Sequence, residues 1–188
     1  MDIGLSELKV RGRLPDALRI LLEEYPREVW ETHPGFNGLV RFWLDRHMMF
    51  RRLLEMLTAE TQGRLDDRVD PVAFKSQVSR LGSMLVGELH GHHNIEDAHY
   101  FPALAKKDPR IERGFEILDQ DHHALNDILQ SYVQAANAAI NADEKSKREV
   151  GTFLVETEAL EGLLSRHLID EEELVVPVIL KHGAGGLS

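Results

Sequence analysis

The stretch His92-His93-Asn94-Ile95-Glu96, which runs on to Phe101-Pro102, is matched later in the chain by His167-Leu168-Ile169-Asp170-Glu171, which runs on to Val176-Pro177. In each copy a histidine precedes a glutamate by four residues, and the glutamate precedes a proline by six. A single pair with this spacing arises easily by chance, but two copies with the same flanking pattern do not. The repeat therefore predicts one site built from two equivalent halves.

A fixed offset of 75 positions relates the two copies and extends beyond them. It carries His47 onto His122, so that six side chains of the metal-ligating kind form two matching sets of three. It also relates apolar positions, pairing Leu54 with Leu129, Leu85 with Leu160, Leu89 with Leu164, and Leu104 with Ile179. This register indicates a duplicated helical hairpin, with equivalent side chains on either side of one central cavity.

The composition bounds the class of protein. A chain of 188 residues is most simply one domain, and its net charge of -10 argues against binding to nucleic acid. The absence of cysteine excludes thiolate zinc sites, cysteine-ligated iron–sulfur clusters and disulfides, and it fits a reducing compartment. The N-terminus has no signal-peptide pattern, and no apolar run approaches the ~18 residues of a membrane helix. We therefore expect a cytoplasmic protein that binds neither nucleic acid nor membrane.

Helical periodicity dominates the chain, whereas strand patterns are almost absent. Asn37 is the expected N-cap of the first long helix, and Pro71 suits the first turn of the second. Short polar connections require neighbouring helices to be antiparallel, so we predict an all-α, up-down-up-down four-helix bundle over residues 36–182. The four predicted helices run over about 37–61, 71–102, 109–142 and 143–173.

Segments on either side of the predicted helices have separate expectations. Residues 1–35 form an N-terminal extension with one short helix that ends before Pro26. This extension is compatible with capping the bundle, with homodimerisation or with docking to a partner protein. Residues 175–182 are expected to pack as a tail after the last helix, and residues 183–188 to be flexible.

The two histidine–glutamate pairs point to metal chemistry. Residues four apart lie one turn apart on the same face of a helix, so His92 faces the same way as Glu96, and His167 the same way as Glu171. His47 and His122 each lie on the apolar stripe of their own helix. Unpaired carboxylates and imidazoles in an apolar core are costly, and a pair of cations removes that cost. Imidazole with carboxylate suits iron, manganese or zinc better than copper(I) or calcium.

A symmetric assignment gives one metal ion to His47 and His92 and a second ion to His122 and His167. Glu96 and Glu171 would bridge the two ions. With one solvent-derived oxo or hydroxo bridge, each ion has five donors, and an octahedral ion keeps one position for a small ligand. A closed tetrahedral zinc site has no need of bridging carboxylates.

The order of these residues resembles the hemerythrin-like HHE cation-binding family. That family has a histidine, then His-x-x-x-Glu, then a histidine, then His-x-x-x-Glu on four successive helices. Asp45-Arg46-His47 and Gln120-Asp121-His122 resemble the acidic openings of its first and third helices, and the segments 96–102 and 171–177 resemble its acidic and apolar endings before proline. The resemblance implies a non-haem di-iron centre with an oxo or hydroxo bridge, bound by His47, His92, Glu96, His122, His167 and Glu171, although other divalent metals also suit these ligands.

This chain departs from the family at positions close to the ligands. Oxygen-carrying hemerythrins have a histidine four residues after the third-helix histidine, where this chain has Asn126. We expect Asn126, and also His99 two turns after the histidine of the first pair, to be candidates for a second shell around the metals. His123 is a fallback ligand if the third helix is rotated. His90 and His93 are expected to point away from the site, and the two glutamates after Glu171 to form a solvated face.

Three functions are compatible with these residues. The first is a protein that binds or senses O2, NO or peroxide, or that handles iron. The alternative is a di-iron oxidoreductase that removes peroxide or NO, or a relative of family members linked to repair of iron centres. Those repair proteins resemble this bundle but carry a cysteine-bearing N-terminal segment, whereas this chain has no cysteine. The third is a metal-free bundle in which the same residues form ion pairs, which the duplicated register of the ligands disfavours.

Overall fold

The computed structural model describes residues 8–36 and 38–187, and it is 81% helix. Within those residues there is no strand, and no helix is long and apolar enough to cross a membrane. The predicted all-helical class is confirmed and is consistent with a helical bundle, whereas the up-down-up-down order stays a prediction. The α-helices with both ends among the described residues are α1 (Ile20–Glu24), α2 (Gly38–Leu65), α3 (Pro71–Ile95), α4 (Phe101–Ala105), α5 (Glu112–Asn141) and α6 (Arg148–His182).

Local sequence signals explain several of the helix ends. The Asp70 carboxylate accepts hydrogen bonds from the backbone N–H groups of Val72 and Ala73, so it caps α3, with Pro71 in the first turn as expected. Gly183, at φ 76°, ends α6 in the left-handed conformation that glycine adopts without strain. The predicted N-cap Asn37 lies outside the described residues.

The last helix differs from its prediction at both ends. It begins at Arg148, after a turn closed by the side chain of Asp143, and it continues through Pro177 to His182. The prediction that the helix stops near Glu173, followed by a packed tail, was therefore wrong. Burial of the apolar run around Pro177 outweighs the single backbone hydrogen bond that this proline cannot make.

A π-helical turn, Glu96–Tyr100, interrupts the second predicted helix immediately before α4. The N–H of Phe101 donates to the carbonyl of Glu96, five residues back rather than four. Pro102 has no N–H to offer to the preceding turn, which favours a local change of hydrogen-bond register. The second copy keeps a regular helix although it contains Pro177, so proline alone does not account for the turn.

The described chain divides into two compact units. The first unit contains the residues up to 47 together with 92–124 and 165–188. Its core joins the N-terminal extension to the helices through Leu14, Leu18 and Trp30, and Leu187 of the C-terminal segment is also buried in it. The described part of the extension therefore packs inside this unit.

The second unit contains residues 48–91 and 125–164. It is held by buried apolar side chains, among them Tyr132 and Phe153, whose ring centroids lie 5.4 Å apart. Lys147 donates to the carbonyl of Leu65 and pairs with Asp67 at the turn between helices. The apolar positions related by the 75-residue offset are all buried, which supports their structural equivalence.

Candidate metal centre

The first unit contains all six of the residues singled out as metal ligands. We call His47, His92, Glu96 and Glu171 the first cluster, because one ligand atom from each lies within 4.8 Å of the others. α2 supplies His47 and α3 supplies His92. Glu96 follows at the start of the π-helical turn, and α6 supplies Glu171. Nε2 of His47 lies 3.1 Å from Nε2 of His92, so the two lone pairs converge on one position.

The second cluster consists of His93, His122 and His167, whose ligand atoms meet the same distance limit. Nε2 of His122 lies 3.1 Å from Nε2 of His167, which repeats the spacing of the first cluster. The expectation that His93 points away from the site was wrong, because its side chain is buried, with 4% exposed. The sequence offered little indication of this, because consecutive residues of a helix project about 100° apart and the preceding residue, His92, already faces the site.

The two glutamates lie between the imidazoles of the two clusters. Oε1 of Glu96 is 2.9 Å from Nε2 of His92, and its Oε2 is 3.6 Å from Nε2 of His122. Oε2 of Glu171 is 3.5 Å from Nε2 of His47 and 3.6 Å from Nε2 of His167. Each carboxylate therefore faces one histidine of each cluster.

Carboxylates behind the imidazoles fix their tautomers. Nδ1 of His47 lies 3.0 Å from Oε1 of Glu172, and Nδ1 of His122 lies 2.7 Å from Oδ1 of Asp97. A carboxylate only accepts hydrogen bonds, so Nδ1 carries the proton and the Nε2 lone pair stays available to a metal. These supports are related by the 75-residue offset. The prediction that Glu172 belongs to a solvated face was wrong, because it is 6% exposed and holds a ligand.

The N-terminal extension reaches His167 of α6 through a buried charge network. Nδ1 of His167 lies 3.4 Å from the carboxylate of Asp121, which in turn accepts hydrogen bonds from the guanidinium of Arg11. Nε of Arg11 also donates to Asp170 at 3.0 Å, and Arg166 donates to the same carboxylate at 2.6 Å. Both aspartates are buried, so the arginine from the extension compensates charge beside the centre.

Trp43 contacts the centre on one side only. Its indole Nε1 donates to Oε1 of Glu171 at 2.5 Å, and its ring lies edge-on to His92 with centroids 6.2 Å apart. The indole also contacts the ring of Tyr100, at a centroid separation of 4.8 Å and an angle of 37°. The equivalent position in the second copy is Leu118, which has no donor, so the two glutamates are held differently.

The ionisation of the ligands reflects how closely they are packed. Burial would lower the pKa of His47, but Glu171 and Glu172 outweigh it and raise the pKa to about 9. Burial lowers the pKa of His92 to about 3. Burial, reinforced by the neighbouring carboxylate, raises the pKa of Glu96 well above its usual range, whereas the imidazoles around Glu171 overcome burial and lower its pKa. Cation binding at this centre must therefore release protons.

Several buried polar atoms of the centre have no hydrogen-bond partner. They are both carboxylate oxygens of Glu96, Oε2 of Glu171 and both ring nitrogens of His93. Buried polar groups of this kind are normally satisfied, and leaving one unpaired costs on the order of 1–3 kcal/mol. All of them are good ligands for a borderline or hard cation. The residues of the centre therefore fit bound metal ions.

The remaining candidates lie elsewhere. His99 is exposed and lines a surface cleft with Tyr100 and Lys106, so its predicted inward orientation was wrong. The π-helical turn has more residues per turn than an α-helix, which changes the angle between His92 and His99 and removes them from a common face. Asn126 belongs to the second unit, where it is half-buried, its Oδ1 has no hydrogen-bond partner and it lines a cleft, so its second-shell role stays a prediction.

The other histidines do not join the clusters. His123 is exposed and its Nδ1 donates to the carbonyl of Asp119, which removes it as the fallback ligand. His90 is exposed, as expected. His33 accepts a hydrogen bond from the N–H of Gly35. Sequence reasoning missed Arg11, since no local pattern relates it to residues more than a hundred positions away.

Buried histidines and carboxylates arranged in this way on helices are typical of metal-cation-binding helical domains. The profile of the hemerythrin HHE cation binding domain matches residues 38–182. The chain therefore belongs to the hemerythrin HHE cation-binding family, and the resemblance read from its motifs is confirmed. No curated protein and no solved structure is significantly similar to it.

Proposed function

We propose that this protein holds two iron ions and uses them to bind or sense O2, NO or peroxide, or to handle iron. The proposed ligands are His47 and His92 for one ion and His122 and His167 for the other. Glu96 and Glu171 bridge them. The observation that carries the proposal is the position of Glu96, whose two oxygens face imidazole nitrogens of different clusters. A mononuclear site has no use for a carboxylate placed in this way.

The donor set favours iron or manganese over a closed zinc site, and the hemerythrin-like pattern favours iron between the two. Buried imidazoles with shared carboxylates suit iron or manganese, and the chain has no cysteine to build a closed thiolate zinc site. Iron ions in such a centre supply redox chemistry and a coordination position for a small ligand. The protein groups orient the imidazoles and exclude bulk water, and the ligand groups lose protons as the ions bind.

An oxidoreductase that removes peroxide or NO is the second candidate. The observation that favours it is the aromatic pair behind Glu171, where Trp43 donates to the carboxylate and its ring contacts the tilted ring of Tyr100. Tyr100 also lines a surface cleft of about 500 Å³. These two rings connect the centre to the surface, and an enzyme with repeated turnover needs such a route for electrons.

Metal analysis after anaerobic reconstitution with ferrous iron tests the proposal. We expect about two irons per chain, the nuclearity of a carboxylate-bridged pair. Protein that binds no iron and is no more stable with iron than without it would contradict the proposal. Adding O2, NO or peroxide to the loaded protein separates the candidates, because one stoichiometric and reversible change indicates binding or sensing, whereas repeated turnover indicates the enzyme.

Removal of one bridging carboxylate tests the dinuclear assignment. Glu96→Ala is expected to lose both irons, since each ion depends on the same carboxylate, and Glu171→Ala should behave in the same way. Asn94→Ala changes an exposed residue of the same helix and is the matched control. A variant that lacks Glu96 and still holds one tightly bound iron would show that this carboxylate does not bridge.

A further inference from the structure

One buried imidazole of the centre has no role in the ligand set proposed above. His93 follows the ligand His92 directly, yet it is 4% exposed, and neither of its ring nitrogens has a hydrogen-bond partner. Its ring stacks on His122 with centroids 3.8 Å apart and planes inclined by 11°. It also lies edge-on to His167 at a centroid separation of 5.6 Å.

A buried imidazole without partners needs an explanation. A neutral imidazole has one N–H donor and one lone pair, and leaving them unpaired in the core costs on the order of 1–3 kcal/mol per group. A metal ion bound through one ring nitrogen would use that lone pair and remove part of the cost.

We propose that His93 is a fifth imidazole ligand of the centre and binds the same ion as His122 and His167. This proposal rests on the proposed dinuclear function and deepens it. Ligand atoms of the three histidines lie within 4.8 Å of one another, so these residues form a group that could hold one ion. The three rings come from α3, α5 and α6, so binding of the ion ties these helices together.

The duplication does not predict this ligand. The residue 75 positions after His93 is Leu168, which is completely buried, so the two halves differ immediately after the first histidine of each pair. In the first cluster no third imidazole accompanies His47 and His92. Apart from the shared glutamates, one ion therefore has three imidazoles and the other has two.

The two halves of the centre therefore offer unequal donor sets. His93, His122 and His167 form the larger set of imidazoles, and His47 and His92 form the smaller one. With His93 the centre has five imidazoles, although position 126 is an asparagine.

Variants at His93 and at His123 form a matched pair, because each histidine directly follows a proposed ligand and only the first is buried. His93→Phe keeps a flat ring against His122 but has no nitrogen. The measurement is anaerobic titration of the metal-free chain with ferrous iron in competition with a chelator. We expect His93→Phe to weaken the second iron by about tenfold to 100-fold or more, the range for losing even an outer partner of a ligand. His123→Phe should titrate as wild type does.

Rescue with free imidazole separates ligation from packing. His93→Gly leaves a space for one ring, and millimolar imidazole should restore the second iron in this variant. Toluene, which fills the same space without a nitrogen, should not. Circular dichroism and thermal unfolding of the metal-free variants report any loss of folding. If His93→Gly does not fold, imidazole and toluene are compared as rescuers of folding. Equal rescue by toluene contradicts the proposal, since packing would then explain the residue.

Two results would overturn the assignment of His93. The first is a His93→Phe variant that binds two irons with wild-type affinity, which would indicate that a water molecule satisfies His93 instead. The second is a His93→Gly variant that responds equally to imidazole and toluene. If the wild-type chain itself binds no iron, the dinuclear function fails and the assignment of His93 falls with it, so the wild-type titration distinguishes the two failures.

Discussion

Replacing Arg11 with leucine should destabilise the protein far more than an ordinary change in an N-terminal segment. The guanidinium of Arg11 pairs with Asp121 and with Asp170, and its side chain is only 10% exposed. Arg11→Leu removes the positive charge that compensates the two buried carboxylates. Removing one partner of a buried ion pair typically costs ~3–5 kcal/mol.

The structure places the expected loss at the lower end of that range. Asp170 keeps Arg166 and the N–H of Leu14 as partners, so the uncompensated charge falls mainly on Asp121. A loss of about 3 kcal/mol in the free energy of unfolding corresponds to a Tm lower by roughly 6–12 °C in a chain of this size. Because Asp121 also orients His167, we expect iron to bind about tenfold to 100-fold more weakly.

Thermal unfolding by circular dichroism and iron titration against a chelator measure both effects. Arg13→Leu is the control, since Arg13 pairs with Asp16 on the surface, where both side chains are more than half exposed, and such a pair contributes ~1 kcal/mol or less. Arg11→Lys keeps the charge but loses the two-pronged geometry and should be intermediate. The reasoning is refuted if Arg11→Leu and Arg13→Leu have the same Tm and the same affinity for iron.

Two further predictions concern single carboxylates. Glu172→Gln should weaken the binding of iron at His47 by about tenfold to 100-fold, because an amide supports the Nδ1 proton less well than a carboxylate. The control Glu173→Gln should bind iron as wild type does, and equal iron titrations of the two variants would contradict the prediction. Hydrogen bonds from Arg110 lower the pKa of Asp108, so its ionised form stabilises the fold above the ordinary aspartate pKa near 4, and that contribution is lost as the pH falls below it. Asp108→Asn should therefore be less stable than wild type in urea at pH 7, with the difference shrinking by pH 3; a constant difference would refute it.

Much of the architecture was predictable because it depends on local patterns. Apolar spacing predicted the helical class, and Asp70 with Pro71 predicted the start of α3. The end of α6 was mispredicted, because a proline normally ends a helix and only the burial of its neighbours explains why Pro177 does not. The π-helical turn after Glu96 was invisible in the sequence, since the second copy contains the same proline without the turn.

The surroundings of the ligands were less predictable than the ligands themselves. Spacing alone brings His92 and Glu96 to one face, but it assigned the neighbouring His93 to the solvent. Glu172 was interpreted as part of an exposed charge run, although it supports His47. Whether such a residue is buried depends on how its helix is rotated against its neighbours, and a rotation of a few tens of degrees moves it between core and solvent.

By itself, the sequence determined that the protein is helical, that its candidate metal ligands are duplicated, and that they follow the hemerythrin HHE pattern. These properties follow from spacings of three, four and 75 residues along the chain. Only the tertiary structure decided that His93 joins the second cluster and that Arg11 reaches the buried aspartates beside it. Both contacts join segments far apart in the chain, so they arise from the packing of helices and leave no periodic signal in the sequence.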